Sequence, residues 1–330
     1  MSAPKAQSHR RGSAGPARSA VHEGLVGARE LVGTPYLADP VLRGQYARDI
    51  APRTEAALGR VLGELYAVPA AGSPARALDL GAGTGAVGRT LRARFGESCE
   101  VVAVDRVASL GAVRANLAVE LPAVTGTFDL IVAAHLLNEL YVDRAPAERV
   151  ALRARRVLAW SRSLLAPGGL VILIEPALRE TSRDLLAVRD QLLAAGLHVV
   201  APCFFAGPCP ALARERDWCH DAAPVPSHPR VDFSYLVLRA APVPAAPSFH
   251  RIVSDPMPEK GRLRFFTCGP TGRHPLVRLK RYRSPDNAAL DKAVRGDAIS
   301  VANLDQATDG LRVTADTIVT TATATSPERA

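Results

Sequence analysis

Leu78-Asp79-Leu80-Gly81-Ala82-Gly83-Thr84-Gly85 is the stretch on which the reading of this chain turns. Arg76 to Leu80 is a short apolar run that reads as a strand. Three glycines at alternate positions end it in a turn where no Cβ obstructs the backbone. A helix opening after such a turn presents free N–H groups and the positive end of its dipole to a ligand. Cys99 to Asp105 (Cys-Glu-Val-Val-Ala-Val-Asp) is a second apolar run, ending in a carboxylate twenty residues after Gly85. A carboxylate at the end of the second strand can accept both hydroxyls of a ribose. Gly81, Gly83, Gly85 and Asp105 are therefore candidate nucleoside-binding residues. The residues alone leave a dinucleotide open: the glycine spacing departs from Gly-x-Gly-x-x-Gly, yet Gly88 stands three residues further on.

Outward from this unit the pattern alternates. Phe128 to Ala133 and Gly169 to Ile174 read as buried strands, with a helix over Val150 to Leu165 between them. Ser182 to Ala195 supplies another helix, and Leu197 to Ala201 and Phe233 to Leu238 supply strands on either side of an irregular insertion at 201–229. Alternation of this kind predicts an α/β fold with a largely parallel, Rossmann-like sheet over 71–240. Residues 21–70 read as an N-terminal helical cap, with Leu25, Ala28 and Leu31, then Ala57, Val61, Leu62 and Leu65, at helical steps. Pro35 and Pro40 break it with a turn. Five prolines mark 241–260 as an extended linker, and 261–300 reads as a small basic C-terminal β segment. The polar ends, 1–20 and 301–330, read as largely disordered tails.

The chain has 330 residues, 48% of them hydrophobic, enough for a large core, and its net charge of +9 suits an acidic partner. Only Lys5, Lys260, Lys280 and Lys292 are lysines among 41 basic residues, so coding bias explains the arginine excess as well as phosphate recognition does. No apolar run reaches the ~18 residues of a membrane span, and no secretory h-region opens the chain. The expectation is a non-secreted protein with no membrane partner. It would be cytoplasmic in a bacterium, or in the mitochondrial matrix if the acid-free tail is a presequence.

Leu78 to Gly85, followed by Phe128-Asp129-Leu130-Ile131-Val132 and Leu165-Ala166-Pro167-Gly168-Gly169-Leu170, resembles the class I S-adenosylmethionine (SAM)-dependent methyltransferases in order and spacing. The resemblance implies a seven-stranded sheet ending in an antiparallel hairpin, and SAM as cofactor. It places Asp79 and the glycines beside the methionine part and Asp105 beside the ribose. His135, Asn138 and Glu139, in the loop after the fourth strand, fall on the reacting side, with His135 and Asn138 among the cofactor contacts. A polar start to a helix is the plain alternative for His135 and Glu139. No Asn-Pro-Pro-Tyr box follows that strand, and no catalytic residue is assigned.

Cys203, Cys209 and Cys219 crowd the insertion, with five and nine residues between successive thiols, and Cys268 lies in a Gly/Pro turn. Thiolates bind soft or borderline metals, and four would close a zinc site or hold an iron-sulfur cluster. His220 competes with Cys268 as fourth ligand, and Cys99 reads as an ordinary buried thiol. Spacing does not choose between iron and zinc. Ala201-Pro202-Cys203, Cys209-Pro210, Trp218-Cys219-His220 and Phe233 to Leu238, after such a core, resemble the methyltransferase-like small ribosomal subunit assembly family of mitochondria and bacteria. Tyr36-x-x-Asp39-Pro40-x-x-Arg43 belongs to the resemblance, which spans roughly Tyr36 to Ser300. It implies a four-iron four-sulfur cluster on Cys203, Cys209, Cys219 and Cys268, and the small ribosomal subunit with its rRNA as partner. The chain departs from that pattern at Phe204-Phe205 and at Arg295-Gly296-Asp297.

Arg262, Arg264, Arg273, Arg278, Lys280, Arg281 and Arg283, interleaved with Phe265, Phe266 and Tyr282, suit either RNA contacts or a solvated basic face over a small core. The leading expectation is a SAM-binding, iron-sulfur-containing factor in small-subunit assembly or translation, with rRNA methylation as its candidate reaction. The alternatives are a non-catalytic RNA-binding assembly factor and a small-molecule methyltransferase or NAD enzyme with a structural zinc.

Overall fold

The computed structural model describes residues 19–66, 73–107, 112–226, 228–243, 249–308 and 310–321. The expected disorder of 1–18 and 322–330 lies outside them. Among the described residues there are six α-helices: α1 (Ala20–Val26), α2 (Pro40–Asp49), α3 (Ala51–Leu65), α4 (Ala86–Phe95), α5 (Pro146–Leu164) and α6 (Arg179–Ala194). The first eight strands are β1 (Arg76–Leu80), β2 (Glu100–Asp105), β3 (Val113–Arg114), β4 (Phe128–Ala134), β5 (Leu165–Pro176), β6 (His198–Ala201), β7 (Asp221–Val225) and β8 (His228–Arg239).

These eight form one sheet in the order β3-β2-β1-β4-β5-β8-β6, with β7 pairing off β8. The pairs from β3 to β5 are parallel, and β8 runs antiparallel to both β5 and β6. This is the α/β, largely parallel Rossmann-like sheet expected from the sequence, and the late antiparallel strand is the one expected at Phe233 to Leu238. Because side chains alternate across a strand, each strand feeds two cores. Leu78, Leu80, Ile131 and Leu173 pack under Trp160 of α5 and Leu185 and Leu192 of α6. Ala77, Leu130, Val132 and Ile172 pack under Leu58 and Leu62 of α3 and Leu91 of α4. Cys99 is buried in the second layer, as expected of an ordinary thiol.

The C-terminal third departs from expectation. Residues expected as linker, small basic segment and disordered tail join into a second eight-stranded sheet. It comprises β9 (Phe249–Ile252), β10 (Met257–Glu259), β11 (Arg262–Gly269), β12 (Gly272–Leu279), β13 (Ala298–Ala302), β14 (Asp305–Ala307), β15 (Gly310–Val313) and β16 (Ile318–Thr321). Phe265, Ile299, Leu311, Val313 and Val319 form its core. Gly310–Val313 and Ile318–Thr321 are therefore strand and not tail. Each of its short strands inserts only one or two apolar side chains, too few to stand out from Thr and Ala in the sequence.

The two sheets are joined by buried charge. Arg251 of β9 pairs with Glu64 of α3, both under 10% exposed, and Tyr235 of β8 donates its hydroxyl to the same carboxylate at 2.9 Å. Arg251 also donates to the carbonyls of Pro202 (3.0 Å) and Gly296 (2.6 Å). Gly296 has φ +90°, and a Cβ there would stand 1.9 Å from Asp221 Oδ1, so only glycine fits that seam.

Candidate functional site

Two regions bring the expected site residues together. The first lies at the carboxyl ends of β1, β2 and β4. Gly81, Gly83 and Gly85 all have positive φ, the left-handed region that their lack of a Cβ permits. The N–H groups of Gly81 and Ala82 donate to Val104 O at 2.8 and 3.0 Å, tying the turn to β2. Asp105 accepts from Gly83 N at 2.8 Å and Val107 N at 2.9 Å, which fixes its carboxylate at the rim. A cavity of about 310 Å3 opens there, lined among others by Gly81, Gly83, Asp105, Arg106, His135 and Tyr36.

Asp79 stands behind the turn, 1% exposed, and neither carboxylate oxygen has a hydrogen-bond partner. Burial, with the charge of Asp105 adding to it, pushes its carboxyl up to about 7. An orphaned buried carboxylate is costly unless a cation or donor completes it, and a ligand ammonium meets that need.

The N-terminal cap closes over this cavity through the Tyr36-to-Arg43 motif. Asp39 caps α2 by accepting from Val41 N and Leu42 N at 2.7 and 3.1 Å, and Arg43 holds Leu37 O at 3.1 Å. Tyr36 donates to Glu139 at 3.0 Å, and Arg106 bridges Glu139 (3.4 Å) to the Gly33 carbonyl (2.8 Å). Burial pushes Glu139 up to about 7 against the pull of Arg106.

The loop after β4 is braced from below. Glu175 accepts from Leu137 N (2.8 Å) and Asn138 N (3.2 Å), while Arg153 holds the carbonyls of Asn138 and Leu140 at 3.1 Å each. His135 takes a left-handed φ of +57°, and burial lowers its imidazole to about 4, so the ring stays neutral at physiological pH. Asn138 departs from expectation: its side chain bonds the His135 carbonyl (2.9 Å) and Arg29 (3.4 Å), and it lines a neighbouring cavity in place of the first one. Position after the fourth strand could not show this, because neighbours on a short 3-10 turn face different sides. Tyr36, Tyr46, Arg106, Arg153 and Glu175 were not legible as site residues, since each acts through a contact distant in sequence.

The second region lies between the sheets. Cys203, Cys209, Cys219 and Cys268 line one cavity of about 50 Å3, together with Trp218 and His220. Two arginines of α6 fold the insertion around it. Arg189, 1% exposed, donates to the carbonyls of Phe205 and Gly207 (2.9 Å for the latter), while Asp190 accepts from Cys209 N at 2.9 Å. Arg183 gathers the carbonyls of Ala211, Arg214 and Asp217 at 3.2, 2.8 and 2.7 Å. Burial first, then repulsion among the four thiols, pushes Cys209 up to about 11, Cys219 to about 12 and Cys268 further still. Trp218 Nε1 and His220 Nδ1 are buried without partners. Among the described residues, no three His, Cys, Asp or Glu side chains close on a single metal ion.

The basic face, which suited either RNA contacts or a solvated surface over a small core, is largely ion-paired. Arg262 and Arg264 pair with Glu259, Arg273 with Asp217, and Arg278 and Arg283 with Asp291. Phe265 is core, Phe266 carries the Arg273 guanidinium and Tyr282 that of Arg281. Five of the seven expected phosphate contacts are thus committed within the protein. No helix among the described residues is long and apolar enough to cross a membrane.

A family model described as mitochondrial small ribosomal subunit Rsm22 matches residues 44–282. A search of curated sequences finds no significant relative. Similar solved structures include the mitomycin 7-O-methyltransferase MmcR, at 15% identity over 64% of this chain and 60% of that one, with a TM-score of 0.38. The plantazolicin methyltransferase BpumL in complex with SAH matches at 10% identity, over 67% of this chain and 99% of that one, with a TM-score of 0.43. TrmN from Thermus thermophilus matches at 20% identity, over 57% of this chain and 52% of that one, with a TM-score of 0.34. The chain thus spans less than two thirds of the length of MmcR and of TrmN. These superpositions are too loose to speak to chemistry.

Proposed function

The chain belongs to the Rsm22 family of the mitochondrial small ribosomal subunit, and from that premise we propose that it is a SAM-binding, iron-sulfur-containing factor acting on the small ribosomal subunit. The observation that carries the cofactor half is the cavity at the carboxyl edge of the first sheet. Asp105 is fixed at its rim, and behind the glycine turn the buried Asp79 carboxylate has no partner. Asp105 and Asp79 would hold SAM there, by its ribose hydroxyls and its ammonium respectively, in a cavity that His135 and the loop after β4 also line.

The metal half rests on the donor set. Four thiols from separate segments line one cavity, and burial first, then neighbouring thiolate charge, disfavours the thiolate forms of Cys209, Cys219 and Cys268. Trp218 offers an indole N–H with no acceptor, which cluster sulfide or thiolate sulfur supplies. Cys203, Cys209, Cys219 and Cys268 would hold the cluster, whose chemistry here is to tie the insertion of the first sheet to β11 of the second. His220 makes a single zinc with three thiolates the second reading, since it lines the same cavity.

The ribosomal partner follows from the family and the surplus of positive charge, with Lys280, Arg281 and Lys292 exposed on the second sheet's side of the protein. The test is co-sedimentation of full-length protein with small subunits across a salt series, with and without SAM. Binding that weakens steeply with salt supports the reading. Failure to bind subunits at low salt contradicts it. Methyl transfer from labelled SAM to rRNA separates an rRNA methyltransferase from a non-catalytic assembly factor.

A further inference from the structure

We propose that Glu175 is a positioning residue for the cofactor cavity: its ionised carboxylate, together with Arg153, holds the loop after β4 on the backbone path that seats His135 and Leu136 in the cavity wall. The proposal rests on the reading of that cavity as the SAM site, and adds to it a residue that lines neither the cavity nor its rim.

The loop from His135 to Leu140 does not satisfy its own backbone. Its one 3-10 turn, Leu137–Glu139, is bounded by bonds from Glu139 N to Leu136 O at 3.0 Å and from Leu140 N to Leu137 O at 3.1 Å. Other groups are met from outside. On the β5 side, Ile174 O accepts from His135 N at 2.7 Å, and the two oxygens of Glu175 accept from Leu137 N at 2.8 Å and Asn138 N at 3.2 Å. On the α5 side, Arg153 donates to Asn138 O and Leu140 O, both at 3.1 Å. A buried backbone group left unmet costs as much as a lost hydrogen bond, so the loop keeps this path only while both side chains hold it.

The path matters to the cavity in two ways. His135 sits at φ +57°, a left-handed conformation that persists only where its surroundings over-determine it. A Cβ on Gly81 would stand 3.1 Å from Leu136 Cδ1, so the loop lies directly on the glycine turn. Charge decides the grip. As a carboxylate, Glu175 accepts from both N–H groups; protonated, it keeps one acceptor oxygen and turns a donor toward the other N–H. Burial raises its carboxyl to about 7 against the pull of Arg153 and the two N–H groups. Arg153 of α5 is the charge that faces it. Behind Arg153 stands Asp184 of α6, whose Oδ2 takes Arg153 at 2.7 Å and Arg149 at 2.8 Å. Ser234 of β8, opposite Glu175 in register, is neutral.

The experiment is calorimetric titration of full-length protein, wild type and Glu175→Gln, with S-adenosylhomocysteine at pH 5.5 and pH 8. Glutamine stands for the protonated acid at every pH. Wild-type affinity should exceed that of the variant about ten-fold at pH 8, and the two should converge to within about two-fold at pH 5.5. The ratio cancels Asp79, Asp105 and Glu139, which both proteins retain. A purely structural part for Glu175 would give a similar deficit at both pH values and would overturn the proposal, as would equal affinities at pH 8. Arg153→Met supplies a second reading should Glu175→Gln fail to fold. Without the guanidinium the Glu175 carboxyl rises further, so affinity should climb at a pH about one unit above that of wild type. A climb at the wild-type pH would overturn the proposal. Absence of binding by wild type at both pH values would overturn the cofactor reading and this proposal with it, whereas binding at a constant ratio overturns this proposal alone.

Discussion

The cofactor cavity and the cysteine cavity are built by opposite means. Around the first, the backbone does most of the shaping: a glycine turn bonded to β2, a carboxylate fixed by two N–H groups, a loop braced from beneath by Glu175 and Arg153. Around the second, no strand or helix carries all the donors, and long arginine side chains reach across to gather carbonyls of an irregular insertion. The first cavity's shape is held by the protein's own hydrogen bonds. The second holds Cys209, Cys219 and Cys268 as neutral thiols, so the thiolate set a metal needs forms only with a bound cation to offset its burial. Ligand removal should therefore cost little at one site and much at the other.

The largest expected effect is at the cysteines. Cys219→Ser, removing one of the four thiols that line the cavity, should lose the metal and lower the melting temperature by on the order of 10 °C, read by calorimetry under anaerobic conditions. S-adenosylhomocysteine affinity should change far less. Equal losses at both sites would break the comparison, because they would make the cavities one cooperative unit.

Next in size is the buried link between the sheets. Arg251→Met leaves Glu64 charged and enclosed, and a buried pair broken on one side costs about 3–5 kcal/mol. Denaturant unfolding should show that loss, and Glu64→Gln added to Arg251→Met should restore part of it. A change within error in the single variant would mean that the carboxylate reaches water or takes up a proton at little cost.

At the cofactor cavity, Asp105→Ala removes a charge-assisted partner of the ribose worth about 2 kcal/mol, or roughly 30-fold in affinity. Iron content should stay at the wild-type level. Titration calorimetry and iron analysis on one preparation check both halves.

The smallest effect is the pH dependence. Asp79 and Glu139 both have carboxyls raised to about 7 by burial, above their unfolded values. Their contribution to stability is complete below the unfolded carboxylate range and is lost as pH rises through about 7. The ligand-free protein should melt a few degrees lower at pH 8 than at pH 6, and Asp79→Asn should flatten that slope. A slope unchanged in Asp79→Asn would place its carboxyl near its ordinary value.

The two regions also differed in how far the sequence revealed them. The turn at Gly81 to Gly85, Asp105 and the strands of the first sheet were legible because each is a local pattern: an apolar run, a glycine spacing, a carboxylate at a strand end. The four cysteines were legible as chemistry and not as geometry. Cys268 meets the others through β11, read in the sequence only as part of a small β segment, because the flanking strands that complete its sheet, three to five residues long, carry too little apolar signal to be read. The bracing residues stayed hidden for a similar reason. Arg189 and Arg183 are ordinary helix arginines until the insertion folds onto them, and Arg273, Arg278 and Arg283 resemble an RNA-binding stripe until their acidic partners come into place.

The most direct test of the account is the metal and sulfide content of full-length protein purified without oxygen. The account predicts about four irons and four acid-labile sulfides per chain, with the broad visible absorbance of a thiolate-bound cluster, all lost in Cys268→Ser. One zinc per chain with no sulfide, or iron retained in full by Cys268→Ser, would contradict it.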